Sequence, residues 1–166
     1  MIIEGNGEGL FDPDRDITRA EFAAIIVRAL GLKPESGASL FSDVKESDWY
    51  NSAIRTAYSY HLVDGFEDGT FRPNDKITRE QAMVILSKAM TITKLKSRLP
   101  VQTRDAVLHP YPDATEASDW AISSIADCLQ AGIVSGRSTG IAPKDDITRA
   151  EAAAMVERLL KKSDLI

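Results

Sequence analysis

Three arginines occupy the same place in a motif that the chain contains three times. The motif reads Ile-Thr-Arg followed by Ala-Glu, Glu-Gln and Ala-Glu, and its arginines are Arg19, Arg79 and Arg149. A guanidinium group presents a planar fork of N–H donors that suits a carboxylate. Anion binding is therefore one chemistry that these residues could perform. A salt bridge between repeats is the alternative.

The threonine in front of each arginine has a structural explanation. A threonine followed three residues later by Glu or Gln forms the capping box of a helix N-terminus. The three pairs are Thr18 with Glu21, Thr78 with Gln81, and Thr148 with Glu151. The arginine then falls at the first helical position, where the helix dipole disfavours a cation. If the arginine binds an anion, its replacement by alanine is expected to leave the fold intact. If it forms a salt bridge, the same replacement is expected to lower the stability of the fold.

Each motif starts an apolar pattern of helical period. A proline stands five residues before each threonine: Pro13, Pro73 and Pro143. The spacing of apolar residues after the motif predicts three amphipathic helices, and the repetition predicts a repeat architecture. Because one repeat cannot bury its stripe alone, we expect these helices to pack against one another with Ile26, Leu86 and Val156 inward.

A second kind of helix precedes two of the three motifs. It is predicted to begin near residues 47–50 and 118–121. In the first of these helices the spacing places four residues on one face: Ile54, Ala57, Tyr58 and Leu62. Each helix is expected to stop at a glycine turn, Gly65 or Gly136. The stretch 91–117 is interpreted as a solvated connection between repeats.

The first copy of the repeat is incomplete at the sequence level. Residues 2–5 align with residues 62–65, so no leading helix stands upstream of the first motif. We expect the chain to be a piece of a longer protein, or a second chain to cover the incomplete first repeat. The apolar side of the first helix, around Phe22 and Ile26, should therefore be under-covered or contacted by another chain.

Composition excludes several classes of function. The net charge of −5 argues against a nucleic-acid or anionic-membrane surface. No apolar run approaches the roughly 20 residues that a membrane span needs. The single cysteine, Cys128, aligns with Ala57 and is expected to be a buried, inert thiol.

Neither an enzyme nor a metal site is indicated. His61 and His109 occupy non-equivalent positions, with no second histidine or cysteine at ligand spacing. No phosphate-binding glycine motif or serine nucleophile elbow is present. We therefore expect no catalytic residues, no bound metal and no cofactor.

The repeat resembles a known module. The residues that carry the likeness are Phe41-Ser42-Asp43-Val44, Trp49-Tyr50, Ile54, Gly65, Gly69-Thr70-Phe71, Pro73 and Ile77-Thr78-Arg79. This pattern is similar to the surface-layer homology (SLH) module of bacterial envelope proteins. By this resemblance the domains are residues 1–31, the latter half of a repeat, and two complete repeats at 40–91 and 110–162. The third repeat departs from the pattern, since Tyr111-Pro112-Asp113-Ala114 replaces its opening and its glycine loop is one residue shorter.

The resemblance implies an all-α fold in which tandem helix–loop–helix repeats form a pseudo-threefold unit. It also implies noncovalent binding of secondary cell-wall polysaccharide, typically with pyruvylated N-acetylmannosamine, in grooves between repeats. The residues that match the family's ligand-binding positions are Arg19, Arg79, Arg149, Trp49, Trp120, Gly65, Gly69 and Gly136, with Asp48 and Asp119 as further candidates. A core or staple role is the alternative for the tryptophans. A first-turn role is the alternative for the two aspartates.

These implications define the expected function and location. The chain is expected to anchor an exported protein to the outside of a Gram-positive-type cell wall. The alternative is a protein–protein assembly module whose arginines form salt bridges between repeats or subunits.

Overall fold

The computed structural model describes residues 11–137 and 140–166, and its regular elements are helices. The helices are α1 (Arg19–Ala29), α2 (Asn51–Ser59), α3 (Arg79–Ile92), α4 (Arg104–Leu108), α5 (Ile122–Gln130) and α6 (Arg149–Lys162). There are also two short 3₁₀ helices, Lys96–Arg98 in the connection after the second repeat and Pro112–Glu116 at the start of the third repeat. Within the described residues, β-structure is limited to isolated bridges. The predicted all-α class is confirmed.

The helices after the three motifs begin as the capping box predicts. In α1 the amide of Glu21 donates to the Thr18 hydroxyl, and the amide of Thr18 donates to the Glu21 carboxylate. Thr78 with Gln81 and Thr148 with Glu151 make the same reciprocal bonds. Each arginine is therefore the first helical residue, as predicted.

The leading helices α2 and α5 end earlier than their glycine turns suggested. Helix α2 ends at Ser59, and His61 adopts the left-handed conformation with φ of 59°. Its equivalent after α5 is Gly132, with φ of 70°. The amide of Leu62 then donates to the carbonyl of Ala57 at 2.8 Å, which closes the helix by a Schellman-type bond. The predicted stop at Gly65 was wrong because a histidine can adopt this conformation too.

The chain forms two compact units, one of residues 1–77 and 148–152 and one of residues 78–147 and 153–166. In the first unit α1 packs against α2. In the second α3 packs against α5, and α4 also packs against α5. Ile26, Leu86 and Val156 are all buried, as predicted. The partners that the structure gives α1 and α3 are the leading helices, and mutual packing of the three motif helices stays a prediction.

Burial also corrects two expectations. Phe22 and Ile26 are completely buried, so the expected under-covered side of α1 was wrong for these residues. Helix α2 lies against α1 and belongs to the next repeat along the chain. Tyr58, expected to face inward, is 43 % exposed and lies edge-on to Phe41.

Three further expectations concern Cys128, the membrane and the first ten residues. Cys128 is buried as predicted, its Sγ donates to the carbonyl of Met83, and burial raises the pKa of the thiol. None of the helices in the described part of the chain has the length and apolarity needed to cross a membrane. Residues 2–5, which align with residues 62–65, lie outside the described residues.

Candidate functional site

Each arginine of the motif docks onto the loop of another repeat. We call these places the first junction (Arg19 with loop 65–75), the second junction (Arg79 with residues 140–145) and the third junction (Arg149 with residues 11–15). The side-chain Nε of each arginine donates to a loop carbonyl, that of Phe71 at 3.0 Å, of Ile141 at 2.7 Å and of Phe11 at 2.8 Å. The accepting residue stands two positions before the loop proline in every case.

The backbone of each motif helix is bound by the same loop. The amides of Arg19, Arg79 and Arg149 donate to the carbonyls of Asp75, Asp145 and Arg15 at 2.7–2.9 Å. The next amide of each helix donates to the carbonyl of the loop proline. Loop carbonyls thus satisfy donors that a helix N-terminus leaves unpaired. They also place partial negative charge around the arginine, which offsets the unfavourable helix dipole.

The loops are held in place by an aspartate that the sequence analysis did not single out as a site residue. Asp43 accepts hydrogen bonds from the amides of Phe71 and Arg72, both at 2.8 Å. Asp113 does the same for Ile141 and Ala142 at 3.0 and 2.8 Å. Burial raises the pKa of Asp113, but these amides more than offset it, so the pKa lies below its ordinary value. The match between Asp43 and Asp113 was the available sequence signal.

Replacing Asp113 by alanine should lower the free energy of unfolding by about 1.5–3 kcal/mol, because hydrogen bonds to charged groups contribute this much. The variant removes the acceptor of two loop amides and loosens the second junction. Urea denaturation of the parent and of Asp113→Ala measures the difference. Asp119→Ala, which alters an exposed aspartate, is the matched control and should change little. Equal losses in both variants would contradict the loop-clamping role.

The first junction contains an arginine beside two aromatic rings. The guanidinium carbon of Arg19 lies 4.8 Å from the ring centroids of both Phe66 and Phe71. Arg19 is partly exposed and forms no ion pair with any described residue. Burial lowers the pKa of Arg19, with a further lowering by Arg72, although Asp75 acts in the opposite direction. A partly desolvated guanidinium without a carboxylate partner is suited to binding an anion.

The second junction holds its arginine more deeply. Arg79 is only 2 % exposed, and besides Ile141 it donates to the carbonyl of Ser135 at 3.3 Å. Beside it in the helix, Glu80 is 3 % exposed and accepts from the amide and hydroxyl of Ser118, each at 2.9 Å. Lys144 donates to the same carboxylate at 2.7 Å. The other two repeats have alanine at the position of Glu80, so this buried carboxylate is peculiar to the second junction.

At the third junction the arginine forms a salt bridge between repeats, which is the alternative to anion binding. Arg149 is 4 % exposed, and its Nη1 lies 3.1 Å from Oε2 of Glu21, the capping residue of α1. Arg15 lies 2.6 Å from the same carboxylate oxygen. Two cations therefore share one carboxylate, and Arg149 also lies over the Phe11 ring at 5.2 Å. This arginine connects repeats within the chain.

The remaining predicted site residues lie at the surface or against aromatic rings. Trp49 and Trp120 are 64 % and 60 % exposed, so the core role is wrong for both. The Trp49 ring lies edge-on to Tyr50 at 5.3 Å. Burial raises the pKa of Tyr50 and Asp48 adds to this, whereas Asn74 lowers it. Because Asn74 belongs to the loop that binds Arg19, Tyr50 and the Trp49 ring against it lie close to the first junction.

The two aspartates and three glycines differ in what surrounds them. Asp48 also accepts from the amide of Lys45 at 2.8 Å, in keeping with a local turn role, whereas Asp119 is exposed. A Cβ atom on Gly65 would meet the Phe41 ring at 2.2 Å, and one on Gly136 would meet the Tyr111 ring at 2.8 Å. Gly69 has φ of 79°, which a side chain rarely adopts. These glycines therefore have structural reasons to be glycine, whether or not they line a binding site.

Comparison with known proteins agrees with the repeat anatomy. The family model described as S-layer homology domain matches residues 2–23, 40–83 and 110–153. The chain belongs to the S-layer homology domain family. The resemblance seen in the sequence is thereby confirmed, and each of the three matched segments contains one copy of the motif.

Similar proteins include enzymes and cell-surface proteins. An amylopullulanase of Thermoanaerobacterium thermosulfurigenes is 41 % identical over 98 % of this chain and 8 % of its own length. Exoglucanase XynX of Acetivibrio thermocellus is 39 % identical over 98 % of this chain and 14 % of its length. The cellulosome-anchoring protein of Acetivibrio thermocellus is 30 % identical over 99 % of this chain and 36 % of its length. The S-layer homology chain thus spans a minor part of each of these relatives.

The described residues also bear on metal binding. No group of three or more His, Cys, Asp or Glu side chains in residues 11–137 and 140–166 is arranged to hold a metal ion. The chemistry that the S-layer homology repeats do present is a set of arginines on loop carbonyls, together with two exposed tryptophans.

Proposed function

We propose that this chain anchors a larger exported protein noncovalently to the outside of a bacterial cell wall. It does so by binding secondary cell-wall polysaccharide that carries pyruvylated N-acetylmannosamine. Membership of the S-layer homology family supports the anchoring role, and relatives named as a surface-layer protein and a cellulosome-anchoring protein agree with a location at the cell surface. The relatives named as an amylopullulanase and an exoglucanase align with this chain over only 8 % and 14 % of their own lengths.

The two tryptophans carry this proposal. Trp49 and Trp120 stand at equivalent positions in successive repeats and both expose more than half of their surface. A large aromatic side chain that serves only stability is normally buried. An exposed indole offers an apolar face on which the C–H face of a sugar ring can stack. Repetition of the exposure in two repeats supports a shared ligand.

The arginines supply the second half of the recognition. A pyruvate ketal carries a carboxylate, which pairs with a guanidinium fork. Arg19, Arg79 and Arg149 are the proposed carboxylate ligands, with Gly65, Gly69 and Gly136 lining the loops. Asp48 and Asp119 are the proposed acceptors for sugar hydroxyl groups. The burial of Arg79 and Arg149 makes Arg19 the most accessible of the three.

Sedimentation with isolated cell walls tests the proposal. The chain should sediment with walls that retain their polysaccharide and stay in solution with walls from which it has been extracted. Polysaccharide freed of its ketal pyruvate should compete at least about tenfold less well than the intact polymer, equivalent to about 1.4 kcal/mol. The double variant Trp49→Ala, Trp120→Ala should keep the parental helix content and lose sedimentation. Equal sedimentation with extracted walls would refute polysaccharide anchoring.

A protein–protein assembly module is the second candidate, and the ion pair between Arg149 and Glu21 is the observation that favours it. That pair shows one motif arginine in a structural bond between repeats. An assembly module predicts self-association that depends on protein concentration and on salt, with no polysaccharide binding. Sedimentation velocity at several concentrations, with and without purified polysaccharide, distinguishes the two functions.

A further inference from the structure

The residue before the loop proline differs in charge among the three repeats. It is Asp12 in the first, Arg72 in the second and Ala142 in the third. All three have left-handed backbone, with φ of 49°, 57° and 51°. The side chain therefore leaves equivalent points of equivalent turns, and only the first junction receives a cation there.

Arg72 lies against the same aromatic ring as Arg19. Its guanidinium carbon is 3.8 Å from the Phe66 centroid, and that of Arg19 is 4.8 Å away. The two guanidinium carbons are consequently no more than about 9 Å apart, the sum of those distances. At this separation an anion beside the ring reaches both groups. Burial lowers the pKa of Arg19 most and Arg72 lowers it further, while Asp75 and Asp43 act in the opposite direction. A bound anion would counter both of the lowering effects.

The partner that Arg72 has in the structure is weakly held. Its Nη2 lies 3.3 Å from Oδ2 of Asp68, and both side chains are about half exposed. Exposed ion pairs contribute little, since water competes for both charges. Asp68 is in turn occupied by the amide and hydroxyl of Thr70. Arg72 can therefore turn from Asp68 to a ligand at small cost.

At the turn position, the other two junctions lack the cation that the first junction has. At the second junction, Glu80 is buried beside Arg79, and the turn position is the uncharged Ala142. At the third junction, Arg149 is already paired with Glu21, and the turn position is the acidic Asp12. In both junctions the motif arginine has a carboxylate next to it that competes with an incoming anion, and the nearby cations Lys144 and Arg15 are themselves paired with those carboxylates.

We propose that Arg72 is a ligand-binding residue that acts with Arg19 across Phe66, and that this two-arginine site makes the first junction the preferred site for an acidic glycan in this chain. The proposal deepens the proposed function and rests on it. It names a residue outside the repeated motif, and it assigns unequal affinities to junctions whose motif residues are nearly the same.

Nuclear magnetic resonance can follow binding near each tryptophan separately, because the chain has two tryptophans and hence two indole N–H signals. The probe is a fragment of purified pyruvylated wall polysaccharide, titrated into the whole chain. The Trp49 signal, from beside the first junction, should saturate at lower concentration than the Trp120 signal. Arg72→Gln should raise the Kd reported by Trp49 about tenfold, and Arg72→Lys should recover part of the loss.

Arg98→Gln is the matched control. Arg98 also forms an exposed ion pair, with Asp164 at 2.7 Å, and it lies in the connection 91–117. This variant has the same net charge as Arg72→Gln and should bind like the parent. The affinity of the parent should also fall more steeply with salt than that of Arg72→Gln. Melting temperatures of both variants should match, which separates binding from a structural role.

Three results would overturn this inference while leaving the proposed function intact. The first is a parental Kd for Arg72→Gln, and the second is saturation of Trp120 before Trp49. The third is equal weakening by Arg98→Gln, which would assign the effect to net charge. Failure of the parent to bind any wall polysaccharide would instead refute the proposed function itself, and this inference would fall with it.

Discussion

The Glu21→Gln variant is expected to unfold at pH 7 with a free energy about 3 kcal/mol below that of the parent, since breaking a buried ion pair removes about this much. Glutamine can still close the capping box, as Gln81 does in the second repeat. What disappears is the carboxylate shared by Arg15 and Arg149, and the Arg149 side chain is 5 % exposed. Chemical denaturation at neutral pH measures the loss.

The same pair predicts how stability depends on pH. Burial raises the pKa of Glu21, but hydrogen bonds from Arg15 and Thr18 more than offset it, so the folded pKa lies below the ordinary value. A lowered folded pKa stabilises the fold above the unfolded pKa of about 4.3. This contribution is lost as pH falls through the folded pKa. The difference in the free energy of unfolding between the parent and Glu21→Gln should thus stay constant from about pH 5 to 8 and become smaller in stronger acid.

Glu157→Gln is the control for this experiment. Glu157 forms an exposed i,i+4 pair with Lys161 on α6 at 2.6 Å. Its loss should change stability little, because exposed pairs on a helix surface are screened by water. A Glu21→Gln variant as stable as Glu157→Gln would show that the third junction does not depend on its ion pair.

The local parts of this structure could be predicted from sequence because their causes are local. The capping box needs two residues three apart, so the starts of α1, α3 and α6 and the helical position of each arginine were predicted correctly. The burial of Ile26, Leu86 and Val156 followed from helical period in the same way. The all-α class followed from the repeat.

The errors arose where a distant part of the chain decides the outcome. Phe22 and Ile26 were expected to be under-covered because the first repeat has no leading helix of its own. Packing of α1 against α2 could not be foreseen from that repeat alone. Tyr58 fits the apolar spacing, yet its ring lies edge-on to Phe41 near the surface. The end of α2 at His61 also escaped prediction, because histidine is a less common choice than glycine for left-handed backbone.

In the candidate functional site, too, features with local causes were predictable and features that depend on distant residues were not. Sequence placed three arginines at one equivalent position, but their partners stand 52 to 138 residues away in the chain. Glu21 illustrates the limit, since its capping role is local and its pairing with Arg149 is not. The sequence could not show whether the three arginines bind an anion or form salt bridges, because the answer differs from one arginine to the next. The structure shows a salt bridge for Arg149 and no ion pair among the described residues for Arg19.

Replacing Arg79 by alanine should destabilise the fold, contrary to the expectation for a purely ligand-binding arginine. The side chain is 2 % exposed and donates to the carbonyls of Ile141 and Ser135. The buried carbonyl of Ile141 loses its donor at a cost of about 1–3 kcal/mol, and the removed side chain also leaves a cavity. A loss of about 3 kcal/mol is therefore expected from urea denaturation, with a lower melting temperature.

Arg19→Ala is the matched comparison, because it alters the same position of the same motif. In the parent, Arg19 is partly exposed, and its side chain donates a hydrogen bond to the carbonyl of Phe71. Water can replace that bond, so the loss of stability should stay near the 0.5–1.5 kcal/mol of a single hydrogen bond. Polysaccharide binding should fall more in Arg19→Ala than in Arg79→Ala when both are measured below their melting temperatures. Equal stability in the two variants would mean that burial does not separate the junctions. Burial could then not explain why Arg79 would serve stability and Arg19 would serve binding, although both occupy the same position of the motif.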